Sequence, residues 1–481
     1  MPWFIAFLEG LSTLAVEVIA IREAIPVVGS SATLTGIMLA VVLLALSGGY
    51  WHGGIVSARG DSRRIKSALA RNLLLASVIY GAVSFPCEAL CLEKMLDLGL
   101  DVALAIGATA SALFILPVYL ASQTVPMLAE LTNAEGKAGK ASGKVLFFST
   151  LGSVVGGIVT PVGLFPHLGV ERTTYVISAL LALAGCLALG GSRLARSAAG
   201  AAALAIVASV HLLFFPKDRG FSFDSAYQSF RVATDEGAEG RTERVLLLGG
   251  GRASGVYADD GETSFPYVLQ AEEALNETGA SDVLVIGAAG FTFPRDAARL
   301  PSVRRVDAVD IDAAVKPIAE REFLFETLSR KIRFLHMSAR YALRKLRRDG
   351  NHYGFTFVDA YYGKGIPPEL LTAEFFSDLA AISDRTVVNV IMDPGMTSAF
   401  ARNLLSTFHA AFHAAWVKRV TAEEEEEDRP RINILVSNWR VAGSSAWSGH
   451  GLVYHDDKNS ADSDWDRLVW GAKMFEFNFA Q

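Results

Sequence analysis

Residues 283–312 read VLVIGAAGFTFPRDAARLPSVRRVDAVDID, and this stretch decides the class of the C-terminal half. A run of aliphatic residues, Val283–Ile286, enters the bend Gly287-Ala288-Ala289-Gly290. A second run, Val306–Val309, ends in Asp310-Ile311-Asp312. Short apolar runs closed by glycine or acidic residues predict buried strands. Outward from this core, helices are expected over Tyr267–Glu277, Ala314–Phe325, Ala339–Arg348, Glu369–Ala381 and Ser398–Trp416. Strands are expected over Ile332–His336, Phe355–Asp359, Thr386–Ile391 and Arg431–Ser437. The alternation predicts an α/β domain over residues 266–481, a parallel sheet with helices on both faces. Residues 217–265 read as a linker and a small β-hairpin region, with strands Tyr227–Thr234 and Arg244–Leu248. Gly249-Gly250-Gly251 lacks the Gly-Lys-Ser/Thr ending of a phosphate loop and reads as a turn.

In a sheet of this kind a ligand sits beyond the carboxyl ends of the strands. Three features collect there. The Gly287–Gly290 bend lets backbone approach a ligand closely, Asp310 ends the next strand, and Asp359 ends a later one. This is the nucleoside-binding logic of Rossmann-like folds. Asp310 either holds ribose hydroxyls or caps the helix that follows; Asp359 either faces the same crevice or merely closes its strand.

The N-terminal half is of another kind. The chain has 481 residues, 51% of them hydrophobic and only 20% charged, with net charge −6 and mean hydropathy +0.33. Residues 1–216 hold 13 Lys+Arg against 11 Asp+Glu, and the remainder 31 against 39. The acidic second half argues against a nucleic-acid partner. A bilayer-crossing helix needs about 20 mainly apolar residues. Seven stretches qualify, near 2–20, 33–52, 72–92, 102–128, 145–165, 173–191 and 199–215. Residues 1–216 therefore read as an all-α transmembrane bundle of about seven spans, with the lipid bilayer as partner. Basic residues crowd alternate loops: Arg59, Arg63, Arg64, Lys66 and Arg71; Lys137, Lys140 and Lys144; Arg193 and Arg196. Such loops stay cytoplasmic, which puts the N-terminus inside and, with seven spans, everything after Pro216 outside. Glu9, Glu17 and Glu88 lie within spans and Arg22 at the end of one. They either pair within the bundle or serve a proton or transport path. Cys87 and Cys91 share a helical face, as packing residues or as a redox or metal pair.

At this point the chain resembles the spermidine-synthase-like (polyamine aminopropyltransferase) proteins that carry an N-terminal multi-span membrane domain. The resemblance rests on Glu17 with Ile21-Arg22, Leu116-Pro117-Val118-Tyr119, Ser149-Thr150-Leu151-Gly152-Ser153 and Phe165-Pro166-His167-Leu168-Gly169 in the first half. In the second it rests on Ser225-Ala226-Tyr227-Gln228, Val285-Ile286-Gly287, Asp310-Ile311-Asp312, Asp359-Ala360-Tyr361 and Leu371-Thr372-Ala373-Glu374-Phe375-Phe376. It implies a Rossmann-like, methyltransferase-type domain that moves an aminopropyl group from decarboxylated S-adenosylmethionine, a co-substrate, to a small amine. It implies Asp359 as the base that frees the attacking nitrogen. Gly287, Gly290, Asp310 and Ser338 would line the nucleoside site. Tyr227, Gln228, Tyr267 and Tyr361 would line the amine site. No metal or other cofactor is implied.

The sequence also departs from the family pattern. Its Gly-Gly-Gly-Asp-Gly bend is Gly287-Ala288-Ala289-Gly290-Phe291 here, the adenine-contacting aspartate is Ser338, and Tyr-His-Glu becomes Tyr267-Val268-Leu269. The second acid of Asp-x-x-Asp is Tyr362. The alternative reading is therefore a catalytically degenerate domain that acts outside the membrane as a binding or assembly module. His409 and His413 have metal-binding spacing beside a packing stripe of Phe408, Phe412 and Trp416, and the acidic run Glu423–Asp428 reads as a solvated loop.

Overall fold

The computed structural model describes the chain except residues 134–135, 137, 190–192, 215–220, 237–239, 364, 421–430 and 471–481. The chain folds as two units, Met1–Arg219 with Asp224–Ala226, and Gly220–Phe223 with Tyr227–Gln481.

The first unit is helical. Its elements are α1 (Pro2–Val28), α2 (Ala32–Arg59), α3 (Ser62–Ile79), α4 (Phe85–Asp97), α5 (Val102–Ser122), α6 (Thr124–Leu131), α7 (Ala138–Val159), α8 (Phe165–Ala188) and α9 (Arg193–Phe214). Among the described residues, five helical stretches are long and apolar enough to cross a membrane: Pro2–Val28, Ala32–Arg59, Ser62–Asp97, Val102–Leu131 and Ala138–Ala188. The fifth is 51 residues long, about 77 Å if it were one straight helix and far beyond a bilayer. It contains two of the seven expected spans and is broken at Gly169, where φ is 79° and ψ 169°. Leu194–Val210 is a shorter apolar helix. Two wide π-turns, Tyr80–Ser84 and Thr160–Leu164, precede the pairs Phe85-Pro86 and Phe165-Pro166. Proline has no N–H to give and crowds the carbonyl one turn back, so the helix widens just before it.

Glycine sets the closest approach. A Cβ on Gly10, Gly152 or Gly156 would overlap the facing backbone at Ser149, Phe7 or Leu11. This is how small residues bring membrane helices together. Trp3 stacks near Phe148 and Leu14 meets Gly157, so α1 and α7 run parallel. One apolar cluster gathers Ile5 and Leu8 of α1, Ile65–Leu73 of α3 and Val145 of α7 with Ala121 of α5, Leu128 of α6 and Leu181–Ala188 of α8. N-terminal halves of α1, α3 and α7 thus meet C-terminal ends of α5–α6 and α8 at one end of the bundle. The helix α9 starts at that end, with Gly200 against Cys186, and reaches Gly81 through Val207. It therefore runs away from that end.

The second unit opens with β1 (Phe221–Asp224), β2 (Ser229–Glu236), β3 (Thr242–Leu248) and β4 (Gly251–Tyr257). Where a hairpin is expected, these form a four-stranded sheet in the order β1-β2-β3-β4, in which β3 pairs antiparallel with both β2 and β4. Gly249 and Gly250, both at positive φ, form the two-residue turn that closes the Leu248–Gly251 pair. The remainder runs α10 (Pro266–Thr278), β5 (Asp282–Ile286), α11 (Thr292–Arg299), β6 (Arg305–Asp310), α12 (Val315–Ile318), β7 (Ile332–His336), α13 (Ala339–Arg348), β8 (Tyr353–Val358), α14 (Ala373–Ala380), β9 (Ser383–Met392), α15 (Ala399–Phe412), β10 (Trp416–Arg419), β11 (Ile432–Ser437), β12 (Ser445–Ala446) and α16 (Ala461–Trp470).

These strands form an eight-stranded sheet ordered β12-β10-β11-β9-β8-β5-β6-β7. The five strands β9-β8-β5-β6-β7 are parallel, whereas β11 lies antiparallel between β9 and β10. The sheet is therefore mixed, not purely parallel. The helix expected to reach Trp416 stops at Phe412, because His413 turns left-handed (φ 58°) and sends Trp416–Arg419 into β10. Apolar side chains cover both faces of the sheet, one group around Val283, Val285, Phe355 and Phe357, the other around Leu284, Ile286, Val358 and Phe376.

Candidate active site

The order of the parallel strands reverses between β5 and β8. That switch point is where doubly wound sheets open a ligand crevice. Four expected site residues end four neighbouring strands: Gly287 after β5, Asp310 on β6, Ser338 after β7 and Asp359 after β8.

The bend after β5 is tightly built. Gly287 sits at φ 89°, and a Cβ there would overlap the carbonyl of Asp359 on the adjacent strand. Its N–H donates to Val309 O at 2.9 Å. Gly290 N–H donates to Ser254 Oγ of β4 at 3.0 Å. Ala289 (φ 40°) and Phe291 (φ 58°) lie in the left-handed region that glycine adopts without strain. Phe291 offsets the strain with a fully buried ring packed edge-on to Phe334.

Asp310 answers the bend from β6. Its Oδ2 accepts from Ala288 N at 3.0 Å and its Oδ1 from Asp312 N at 2.9 Å. Burial pushes its carboxyl above the usual carboxylate range, and these N–H donors oppose the shift. Asp310 does not cap the helix that follows, since Ala314, the N-cap of α12, has no side-chain cap and it is Asp312 that accepts from Ala314 N. The Asp310 carboxylate braces the Gly287–Gly290 bend instead.

Asp359 is held from two sides. Tyr267 Oη, from the first turn of α10, donates to Oδ2 at 3.0 Å, and Asn389 Nδ2, from β9, donates to Oδ1 at 2.8 Å. Burial pushes Asp359 up to about 6, and the two donors hold it from rising further. Near neutral pH it is a carboxylate that can take a proton. Tyr361 stands beside it; its hydroxyl accepts from Ile391 N at 2.9 Å and donates to Asn389 O at 3.3 Å. Burial, then the Asp359 charge, lift both tyrosines well above their ordinary value, so they remain protonated donors.

Asn389 is missing from the sequence-derived set. Its signal was a lone amide inside Val387-Val388-Asn389-Val390-Ile391, a polar group that a buried strand tolerates only with a partner. Tyr362, in place of the second acid, donates its hydroxyl to Tyr227 O at 2.8 Å. This ties the loop after β8 to the segment that carries Tyr227 and buried Gln228. Val268 is a core residue and Leu269 is exposed. Ser338 is exposed and its side chain makes no cap hydrogen bond to α13. Of the remaining candidates, His413 N–H donates to His409 O at 2.8 Å as the cap of α15. The run 423–428 lies outside the described residues.

No family model matches the chain. A polyamine aminopropyltransferase of Vibrio vulnificus is 29% identical over 174 residues, which is 36% of this chain and 57% of that protein. The chain thus matches a little over half the length of that relative. Among solved structures, a probable spermidine synthase of Corynebacterium glutamicum aligns with 46% of this chain and 80% of its own at 14% identity and TM-score 0.38. The spermidine synthase of Thermotoga maritima aligns with 46% and 72% at 15% identity and TM-score 0.34. The chain is similar, through part of its length, to the polyamine aminopropyltransferases, and it adds to that likeness a set of apolar helices fit to cross a membrane.

Proposed function

We propose that the chain is a multi-pass protein of the inner (cell) membrane whose soluble unit transfers an aminopropyl group from decarboxylated S-adenosylmethionine to a small amine. One observation carries the reading: the Asp359 carboxylate, held between the donors Tyr267 Oη and Asn389 Nδ2, stands at the switch point beside a glycine bend and Asp310. The amine nitrogen attacks the propyl carbon bound to the sulfonium. A C–N bond forms, the C–S bond breaks, and the electron pair stays on sulfur to give methylthioadenosine. Asp359 Oδ takes the proton from the ammonium group that frees the attacking lone pair. Asp310 would hold the ribose, with Gly287, Gly290 and Ser338 along the nucleoside. Tyr267, Tyr361, Tyr227 and Gln228 would line the amine. The test is methylthioadenosine release by the full chain in detergent, with decarboxylated S-adenosylmethionine and a series of amines. Release that Asp359→Asn abolishes supports the reading; folded protein that releases none with any amine overturns it.

Seven crossings are supported by helix direction. The end of the bundle that gathers the starts of α1, α3 and α7 also carries the basic loops, and α9 runs away from it. The soluble unit would then lie on the side opposite the N-terminus, outside the cytoplasm. The second reading, a binding module without turnover, draws on this placement and on Tyr362, whose hydroxyl is committed to Tyr227 O. A reporter fused after Pro216 separates the two, since a cytoplasmic signal removes the support for a module outside.

A further inference from the structure

The helical unit buries a carboxylate that nothing answers. Glu88, in the first turn of α4, is 1% exposed, and neither Oε1 nor Oε2 has a hydrogen-bond partner among the described residues. Tyr80, which opens the π-turn leading into α4, is fully buried, and its hydroxyl faces Thr174 of α8. π-turns of this sort recur at functional positions. The charge that acts on Glu88 is that of Glu23 on α1, of the same sign, and both acids act on Tyr80. Arg22 lies on the Glu23 side, with the acids Asp224 and Glu171. Glu9 makes the contrast within the same bundle: it is as deeply buried, yet Thr13 Oγ1 and Ser149 Oγ both donate to it, at 3.3 and 2.9 Å.

A carboxylate in a low-dielectric interior must gain a proton or a cation. Hard metal ions take six or more oxygens or a fixed octahedron, and no group of three metal-ligating side chains exists among the described residues. An ammonium ion asks only for acceptors aimed at its N–H groups, and its alkyl part suits the apolar setting of Phe85 and Leu92, both buried on the same helix. We propose that the membrane bundle holds a binding site for a primary alkylammonium ion, with the two oxygens of Glu88 as acceptors and Glu23 and Tyr80 as further polar contacts. The site is independent of the transferase reading.

The test uses the full chain in lipid nanodiscs, n-butylammonium as probe and calorimetry as readout. Saturable binding is expected in an Asp359→Asn background, which removes the carboxylate of the soluble amine site, and adding Glu88→Gln to that background should weaken it about tenfold to a hundredfold. Tetramethylammonium, which has no N–H, and sodium should bind no better to the native protein than to the variant. Equal binding by Glu88→Gln, or sodium binding as tight as butylammonium, overturns the proposal. Should the variant fail to fold, carbodiimide labelling of Glu88 in the native chain decides by peptide mass. Butylammonium, and not tetramethylammonium, should slow it; labelling slowed by neither leaves a proton as the only occupant and overturns the proposal.

Discussion

The acids at the strands of the α/β unit and Glu88 of the helical unit are buried in different ways. In the α/β unit every buried carboxylate that shapes the sheet is matched by donors of the chain itself. Asp307, fully buried, receives Arg333 at 2.8 and 2.6 Å and Tyr353 Oη at 2.6 Å. Asp310 receives backbone N–H groups and Asp359 receives Tyr267 and Asn389. In the helical unit Glu9 follows that rule and Glu88 breaks it. The difference teaches what a buried charge is for. A carboxylate with all its donors in place is fixed, and its proton affinity is tuned by them. One without donors depends on something the chain does not supply.

The largest effect expected concerns Asp359. Removing a general base costs about 10²- to 10⁴-fold in rate, so Asp359→Asn should reduce methylthioadenosine release by that order while the protein remains folded. The same change should stabilise the fold in a pH-dependent way. The group is raised in the native state from 3.8 to about 6. A raised carboxyl binds its proton more tightly when folded, so its favourable contribution is complete below about 4 and is lost as pH climbs through 6. Denaturant titrations of native protein and variant should coincide near pH 4 and diverge by on the order of 3 kcal/mol near pH 8, the variant being the more stable. Convergence at pH 8 instead would mean that Asp359 is not the uncomfortable charge its burial implies.

Next comes the direct contrast inside the bundle. Glu88→Gln removes a repulsion from Glu23 and a buried charge without hydrogen bonds, and should raise stability by about 1–3 kcal/mol when no ammonium is present. Glu9→Gln keeps the shape but forfeits two charge-assisted bonds, and should lower it by about 1–2 kcal/mol. Thermal midpoints in the same detergent would show shifts of opposite sign; shifts of the same sign would erase the distinction between the two acids.

A smaller and sharper effect lies in the donors around Asp359. Both hydrogen bonds hold its proton affinity down. Asn389→Ala should therefore move the acid limb of the activity profile upward by about one pH unit, with about fivefold less activity at pH 6 and little loss at pH 8. Tyr267→Phe should do likewise. A drop that is uniform across pH would assign Asn389 to packing alone.

How far this site could be read beforehand depends on the kind of signal. The strands that carry Gly287, Asp310 and Asp359 are legible because buried parallel strands are written as unbroken aliphatic runs with turn chemistry at their ends. The antiparallel insertion of β11 is not. Trp416–Arg419 continues the apparent helix, and only the left-handed His413, a residue without glycine's freedom, ends it. Glu88 is legible as an acid within an apolar run, but the lack of donors around it is a property of packing between α3, α4 and α1. No local spacing encodes that. Asn389 is intermediate, since an amide amid valines announces a partner without naming it.

The smallest expected effect tests the bend itself. Ala289 holds φ at 40°, where a Cβ crowds the neighbouring backbone and glycine does not. Ala289→Gly should relieve on the order of 1 kcal/mol of native strain, set against about 0.5–1 kcal/mol for the wider freedom of the unfolded chain. The net is a stabilisation of a few tenths, read as a small rise in the denaturation midpoint with an unchanged slope. Phe291→Gly at φ 58° starts from the same relief, but it also empties a fully buried ring site against Phe334 and should lose about 3 kcal/mol or more overall. If both glycine variants destabilise alike, the positive φ at 289 carries no strain, and the bend is held by its own residues instead of by Asp310 and Ser254 on either side of it.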